Sequence, residues 1–257
     1  MSYDKSMIEE MEGSQFAKCI CLTDITVKTI IVGFPGMGLA GAIAAQHISE
    51  KLKLETIGFI EGSVIPSVAV FLDGYLRHPY RIMGRKDSEI AVFIGESAVS
   101  PAGAYHMAKA VIEWAEKHGA KEIIVLDGFP FLDPKDETKV YMVAEPEIKE
   151  KAEKLDIPPL RSGFIGGFSG AMLNKTMISS VDGYAFLVGT RPDLPDPGGA
   201  AALIKTVNTY KETDINIETL KEQSESIKKK LSELALQTQD MNAQQPPRKK
   251  SKSTFYT

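Results

Sequence analysis

The alternation of apolar and polar positions is clearest between Thr29 and Ile60. A run of β-branched apolar residues, Thr29 to Val32, leads into a glycine-rich turn. From Leu39 to Lys53 the apolar side chains then recur three and four positions apart, as on one face of a helix. A second extended run, Glu55 to Ile60, follows. The pattern predicts a strand, a tight turn, a helix and a second strand, which is the βαβ unit of a parallel sheet.

Further along the chain, strands and helices do not alternate strictly. Two extended runs, Tyr80 to Gly84 and Glu89 to Ile94, are separated by a short polar stretch, which is typical of a hairpin. Ser100 and Pro101 form an N-cap and N1 pair, which predicts the start of a helix that ends at Gly119. These signals predict an α/β fold with a mixed, largely parallel sheet flanked by helices.

The rest of the first 212 residues continues in the same way. The interval from Pro130 to Leu160 is predicted to hold a charged loop and a weak helix around 146–155. A second glycine-rich passage precedes a helix at 171–180, and a loop with three prolines precedes a helix at 199–210. The remaining predicted strands are at 16–22, 25–32, 64–72, 123–126 and 184–188.

The pattern changes after residue 212. Apolar residues recur at spacings of three and four from Ile217 to Met241, as in the a/d seam of a coiled coil, and such a seam needs a partner surface. A Pro-Pro pair then ends the helical pattern, and a basic tail follows. We therefore predict an N-terminal segment (1–15), an α/β domain (16–212), a C-terminal heptad helix (213–241) and a flexible tail (242–257). The seam comprises Ile217, Leu220, Ser224, Ile227, Leu231, Leu234, Thr238 and Met241.

The net charge, the apolar runs and the cysteines limit the partners and the cellular location that we expect for the protein. The net charge of −4 provides no general attraction to nucleic acid or to anionic lipid, so neither is predicted as a partner. No apolar run approaches the roughly 20 residues that span a bilayer, and the acidic N-terminus does not resemble a signal peptide. A cytoplasmic protein is expected. The only two cysteines, Cys19 and Cys21, are interpreted as small buried hydrophobes rather than as a redox or zinc site.

The turn after the first strand contains the pattern G-x-G-x-x-G at Gly36, Gly38 and Gly41. Between a strand and a helix, this pattern can hold a dinucleotide pyrophosphate, and Glu61 lies where a ribose-binding carboxylate could follow. Glycines at such a turn also allow the helix to pack closely on the sheet. The sequence leaves both readings open, and the packing role is favoured.

Carboxylates follow several predicted strands. In a mostly parallel sheet Glu61, Glu96 and Asp127 could meet at one edge and serve acid/base or metal chemistry, although capping of loops and helices is the favoured reading. The four histidines show no ligand spacing, and His47 and His118 resemble helix-surface residues. A nucleotide- or nucleoside-handling enzyme is therefore retained only as an alternative function.

The chain ends on Phe255, Tyr256 and Thr257, which place a hydrophobe and a tyrosine beside a terminal carboxylate. Such an end can enter a pocket that buries the aromatic rings and pairs the carboxylate. The 16 residues after Met241 could reach about 55 Å when fully extended. The triplet is thus predicted to bind a partner at a distance from the body.

Three passages resemble the proteasome assembly chaperone 2 family in its archaeal branch: IVGFPGMGLAG at 31–41, VLDGFP at 125–130 and SGAMLN at 169–174. The likeness covers roughly residues 18 to 235. The terminal triplet also matches the hydrophobic-tyrosine-any motif by which proteasome activators and some assembly factors enter pockets between α subunits of the 20S core.

The resemblance implies a non-enzymatic, ATP-independent, homo-oligomeric chaperone that binds proteasome α subunits or α-rings, with no cofactor or metal. It also implies a fold like that of nucleoside phosphorylases. By match to the motif, Phe255 and Tyr256 would fill the pocket and the Thr257 carboxylate would pair with a pocket lysine.

Overall fold

The computed structural model describes residues 9–10, 16–130, 138–191 and 194–225. The predicted tail triplet, Phe255, Tyr256 and Thr257, lies outside these residues, as does most of the predicted heptad seam. The division into four segments therefore remains a prediction.

A nine-stranded sheet forms the middle layer of the described chain. Its strand order is β1-β2-β4-β7-β8-β3-β9-β11-β10, and β8, β3, β9 and β11 are mutually parallel at its centre. The pairs that flank this centre are antiparallel, which confirms the predicted mixed sheet. The strands are β1 (Glu9–Glu10), β2 (Lys18–Cys21), β3 (Thr29–Gly33), β4 (Glu55–Glu61), β7 (Tyr80–Gly84), β8 (Ile90–Gly95), β9 (Glu122–Pro130), β10 (Val140–Ala144) and β11 (Asp182–Thr190), while β5 (Val70–Leu72) and β6 (Tyr75–Arg77) form a separate two-stranded hairpin.

Helices cover both faces of the sheet. One apolar cluster joins the sheet to α2 and α4, and a second joins the opposite face to α1, α3 and α5. The four parallel strands are buried along most of their length, as expected when both faces are covered. The helices are α1 (Ala40–Lys51), α2 (Pro101–Lys117), α3 (Pro146–Glu153), α4 (Gly167–Thr176) and α5 (Pro197–Lys211).

Local sequence signals predicted several of these elements correctly. The β7–β8 hairpin is present, and Ser100 caps α2 by accepting a hydrogen bond from the Gly103 amide. Gly119 follows α2 with φ of +76°, a left-handed conformation that favours glycine. These elements are set by neighbours in the chain, so the sequence alone specifies them.

Two predictions about the sheet were incomplete. The interval from Pro130 to Leu160 was interpreted as a charged loop and a helix, but it also contains β10, which pairs with β11 at the edge of the sheet. The strand β4 points in the same direction as β3, yet β7 and β8 lie between them. The segment after α1 therefore crosses two strand positions before it enters the sheet.

The beginning of the predicted seam packs on the domain itself. Residues 218–225 are helical, and Leu220 and Ser224 are buried while the residues between them are exposed. Ile217 packs against the same cluster as α1 and α5. The first turns of the seam thus use the chain's own α1/α5 face as their partner surface.

A partly buried carboxylate joins four elements at the edge where the parallel strands begin. Glu122 accepts hydrogen bonds from Thr29 Oγ1 at 2.7 Å and from Tyr184 Oη at 2.5 Å, and it forms an ion pair with Lys211. Burial alone raises the pKa of Glu122, but the bonds from Lys211, Tyr184 and Thr29 outweigh it and hold this pKa below its ordinary value. Glu122 thereby connects β3, β9, β11 and the end of α5.

Neutralising this carboxylate should lower stability in a pH-dependent way. Because the native pKa of Glu122 is depressed, its ionised form stabilises the fold above the unfolded pKa of about 4.3, and that stabilisation is lost as the pH falls through the native pKa. We expect Glu122→Gln to lower the free energy of unfolding by about 1–3 kcal/mol at pH 7. Urea denaturation between pH 3 and pH 7 should show the difference from the unsubstituted protein shrinking below about pH 4.

Glu218→Gln is the matched control for this experiment. Glu218 forms an ion pair with Lys221 at 2.6 Å, but both side chains are more than half exposed. Its loss should change stability by less than about 0.5 kcal/mol. A Glu122→Gln difference that does not depend on pH would contradict the assigned role of the Glu122 charge.

Candidate functional site

The glycine-rich turn between β3 and α1 lies at the edge of the sheet where the parallel strands end. A short 3-10 turn, Met37–Leu39, precedes the helix, and Gly38 has φ of +60°. Leu39 adopts φ of +51° at the N-cap of α1 and provides no side-chain cap. The Gly38 carbonyl accepts a hydrogen bond from the Asp196 amide at 2.8 Å, which joins the turn to the loop before α5.

Protein atoms occupy the space beside each glycine of the G-x-G-x-x-G pattern. A Cβ at Gly36 would lie 2.0 Å from Asp127 Oδ1, and a Cβ at Gly38 would lie 2.3 Å from Thr190 Oγ1. A Cβ at Gly41 would lie 1.9 Å from the Leu126 carbonyl oxygen. The glycines therefore bring the turn against the ends of β9 and β11. This geometry supports the packing role rather than a phosphate cradle.

Asp127 is the partly buried acidic group beside this turn. Its Oδ2 accepts a hydrogen bond from Ser169 Oγ at 2.5 Å, and its Oδ1 accepts one from the Gly128 amide at 2.7 Å. Burial raises the pKa of Asp127, and the two hydrogen bonds only partly oppose that rise. A carboxylate in contact with Gly36 also disfavours a phosphate group at the same place, since the two would repel each other.

A cleft of about 860 Å³ opens beside Asp127. One wall is the β3–α1 turn with the end of β9, and the other is the segment from Pro158 to Gly166 that leads into α4. Aromatic and aliphatic side chains dominate the lining, and Phe164 on its rim is fully exposed. The cleft is large enough for a small ligand or a few residues of peptide. The side chains that line it include Met37, Phe129, Tyr141, Leu160, Phe164 and Ile165.

The three carboxylates predicted to gather at this edge are separate. Glu96 forms ion pairs with Arg77 at 2.5 Å and with Arg81 at 2.7 Å. Glu61 is exposed at the end of β4, and β8 lies two strand positions from both β4 and β9. At about 4.8 Å between neighbouring strands, the three sites are spaced by about 10 Å. Glu61, Glu96 and Asp127 therefore do not form one catalytic or metal-binding group.

Metal-binding geometry is also missing elsewhere in the part of the chain that the structure describes. In that part, no three His, Cys, Asp or Glu side chains come close enough together to hold a metal ion. The same residues contain no helix that has both the length and the apolar character needed to cross a bilayer.

The histidine predictions were wrong for two residues. His47 and His118 were expected on helix surfaces, but both are buried. His47 contacts the Asn216 carbonyl oxygen through Nε2 at 2.7 Å, which fixes the connection between α5 and the helix at 218–225. His118 contacts the Ile25 carbonyl oxygen through Nδ1 at 2.6 Å. Each histidine is more than 90 residues from its partner along the chain, so no local pattern indicated these contacts.

The sequence interpretation missed an exposed apolar hairpin. The strands β5 and β6 pair Phe71 with Leu76 and Leu72 with Tyr75, and all four side chains are at least half exposed. Tyr75 and Leu76 are 77% and 80% exposed. The turn residues Asp73 and Gly74 both have positive φ, so the Asp-Gly pair between two apolar runs was the available signal. Contiguous exposed apolar surface is typical of interaction sites.

Comparison with known protein families gives a match over most of the chain. A sequence model described as the PAC2 family matches residues 30–235. Protein MJ0106 of Methanocaldococcus jannaschii is 29% identical over 231 residues, which are 90% of this chain and 93% of that protein.

Solved structures show the same fold. PbaA of Pyrococcus furiosus, described as an archaeal homolog of proteasome-assembly chaperone, has a TM-score of 0.78 and 26% identity over 89% of this chain and 95% of PbaA. PbaB of the same organism, described as an archaeal proteasome activator, has a TM-score of 0.76 over 86% of this chain and 100% of PbaB. PbaB is 19% identical, so its likeness concerns the fold alone.

The packing role of the turn predicts that Gly38→Ala destabilises the protein. A Cβ at position 38 would contact Thr190, and a side chain disfavours φ of +60°. We expect a loss of about 2–4 kcal/mol in the free energy of unfolding, measured by urea denaturation. Gly163→Ala is the matched control, because no atom lies within 4 Å of its added Cβ. A Gly38→Ala protein as stable as the unsubstituted one would contradict the packing role.

Proposed function

This chain belongs to the PAC2 family, and we propose that it acts as an ATP-independent proteasome assembly chaperone or proteasome-binding factor. The observation that carries the proposal is the family match over residues 30–235, together with the fold shared with PbaA. No catalytic step, cofactor or metal is part of it. The packed glycines of the β3–α1 turn and the dispersed carboxylates agree with a binding rather than a catalytic protein.

We propose that the partner is the α-ring of the 20S core and that the C-terminal triplet makes the contact. Phe255 and Tyr256 fill a pocket between α subunits, and the Thr257 carboxylate pairs with a pocket lysine. The sequence supports this through the aromatic residues beside the terminal carboxylate and the polar tether before them. A tether of this length lets the triplet bind while the folded domain rests elsewhere on the ring.

We also propose that the protein is a homo-oligomer whose subunits meet through the β5–β6 hairpin. A two-stranded hairpin alone is only marginally stable in water, and this one exposes apolar side chains on both faces. A second copy of the chain would cover surface that the domain leaves open.

The tail contact predicts that Tyr256→Ala weakens binding to archaeal 20S particles. We expect the apparent affinity of the full-length protein to fall at least tenfold, which corresponds to about 1.4 kcal/mol or more. Binding to immobilised 20S particles measures the effect, and Ser253→Ala, outside the triplet, should bind like the unsubstituted protein. Equal binding by Tyr256→Ala would remove the tail from the mechanism. A lack of binding by every form would overturn the chaperone proposal.

The hairpin contact predicts that Phe71→Ser combined with Leu76→Ser lowers the mass of the protein in solution. These side chains pair across the hairpin, so the double substitution removes apolar area from one patch without opening the core. Light scattering after size-exclusion chromatography measures the mass. Ile178→Ser, at a residue that is 79% exposed after α4, is the matched control. An unchanged mass in the double variant would place the subunit interface elsewhere.

A further inference from the structure

The two cysteines lie in different environments although they share one strand and one face. Cys19 is 3% exposed, and its Sγ donates a hydrogen bond to the Ala110 carbonyl oxygen at 3.4 Å. Cys21 is half-buried at the end of β2, beside the turn that leads to Asp24. The structure thus distinguishes a fully buried thiol from a partly buried one at the end of the strand.

His118 faces the Cys21 sulfur from the end of α2. Its Nε2 lies 3.7 Å from Cys21 Sγ, and its Nδ1 lies 2.6 Å from the Ile25 carbonyl oxygen. Because a carbonyl oxygen can only accept, Nδ1 carries the proton of the neutral ring and Nε2 presents its lone pair. The lone pair of a base therefore faces the thiol.

Two further groups complete the arrangement. Trp114 donates its indole N–H to Cys21 Sγ at 3.0 Å, and its ring stacks on His118 at 4.2 Å between centroids. The exposed carboxylate of Asp24 lies 3.5 Å from His118 Nδ1. A thiolate would accept from the indole, and an imidazolium would be stabilised by Ile25 and Asp24. This is a nucleophile, a base and a group that orients the base, which is the arrangement that activates thiols.

We propose that Cys21 is a reactive thiol, activated by His118, that small peroxides oxidise to a sulfenic acid. His118 Nε2 takes the thiol proton, and the sulfur attacks one oxygen of hydrogen peroxide. The S–O bond forms as the O–O bond breaks, so the sulfur loses two electrons and the peroxide gains them. The proton held on His118 passes to the departing oxygen, which leaves as water. This modification site is independent of the proposed function.

Cys19 is the internal control for this chemistry. Burial, with smaller contributions from Cys21 and Glu113, raises the pKa of the Cys19 thiol well above its ordinary value. The thiolate, which is the reactive form, is therefore scarce at Cys19. Cys19, on the same strand, therefore provides the unreactive reference with which Cys21 is compared.

The test uses full-length protein with either Cys19→Ala or Cys21→Ala, treated with hydrogen peroxide and then with dimedone, which traps sulfenic acids. Mass spectrometry should show the adduct in the Cys19→Ala protein and not in the Cys21→Ala protein. With iodoacetamide at pH 7, Cys21 in the Cys19→Ala protein should react at least tenfold faster than in a peptide of residues 17–24 with the same substitution. Equal rates, or adducts in both proteins, would overturn the proposal.

Substitution of the base supplies the second arm of the test. In the Cys19→Ala background, His118→Asn can keep the hydrogen bond to Ile25 but lacks Nε2, and we expect the iodoacetamide rate to fall at least tenfold. Asp24→Asn changes only an exposed side chain, and we expect a two- to threefold fall. Circular dichroism verifies that each variant is folded. An unchanged iodoacetamide rate in a folded His118→Asn protein would overturn the proposal. If His118→Asn does not fold, an unchanged iodoacetamide rate in Asp24→Asn would overturn it.

Discussion

The close approach of the β3–α1 turn to the end of β9 is the contact on which one whole face of the molecule depends. Gly41 has no side chain, so α1 can lie directly against the Leu126 carbonyl and pack on β3, β8 and β9. In turn, α5 packs on α1, and the helix at 218–225 buries Leu220 against both. Any side chain at Gly41 would displace α1 and would therefore also disturb the packing of α5 and of the helix at 218–225.

The two edges of the parallel strands have different physical characters. At the edge where the strands begin, Glu122 is fully engaged by Thr29, Tyr184 and Lys211, so charge is used to join elements. At the edge where they end, glycines allow backbone and side chains to meet directly. In many α/β enzymes the second edge holds a ligand. Here Asp127 and Thr190 occupy the space beside Gly36 and Gly38, which favours a packing role for these glycines.

The sequence predicted elements whose signals are local and missed relationships between distant residues. The start of α2 is set by the capping residue Ser100 and by Pro101, and its end by Gly119. The β7–β8 hairpin follows from its short polar turn. By contrast, burial of His47 and His118 depends on carbonyl groups far away in the chain. At the candidate site, too, the sequence indicated a single residue but not its contacts with distant residues. The sequence placed Asp127 just after a strand, whereas β9 continues to Pro130. Only the fold shows that Gly36 and Ser169 enclose Asp127 and that Glu61 and Glu96 lie apart from it.

The order of the β5–β6 hairpin bears directly on the proposed subunit contact. Three residue pairs hold the two strands together, and the apolar side chains at Phe71 and Leu76 contribute little to stability while water surrounds them. In the proposed oligomer, a second subunit would supply much of the free energy that keeps the hairpin closed, and by mass action this contribution would grow with protein concentration. If the proposed subunit contact forms, amide hydrogen exchange in the hairpin will be slow in the associated protein and fast in dilute solution, while exchange in the central strands is governed by global unfolding.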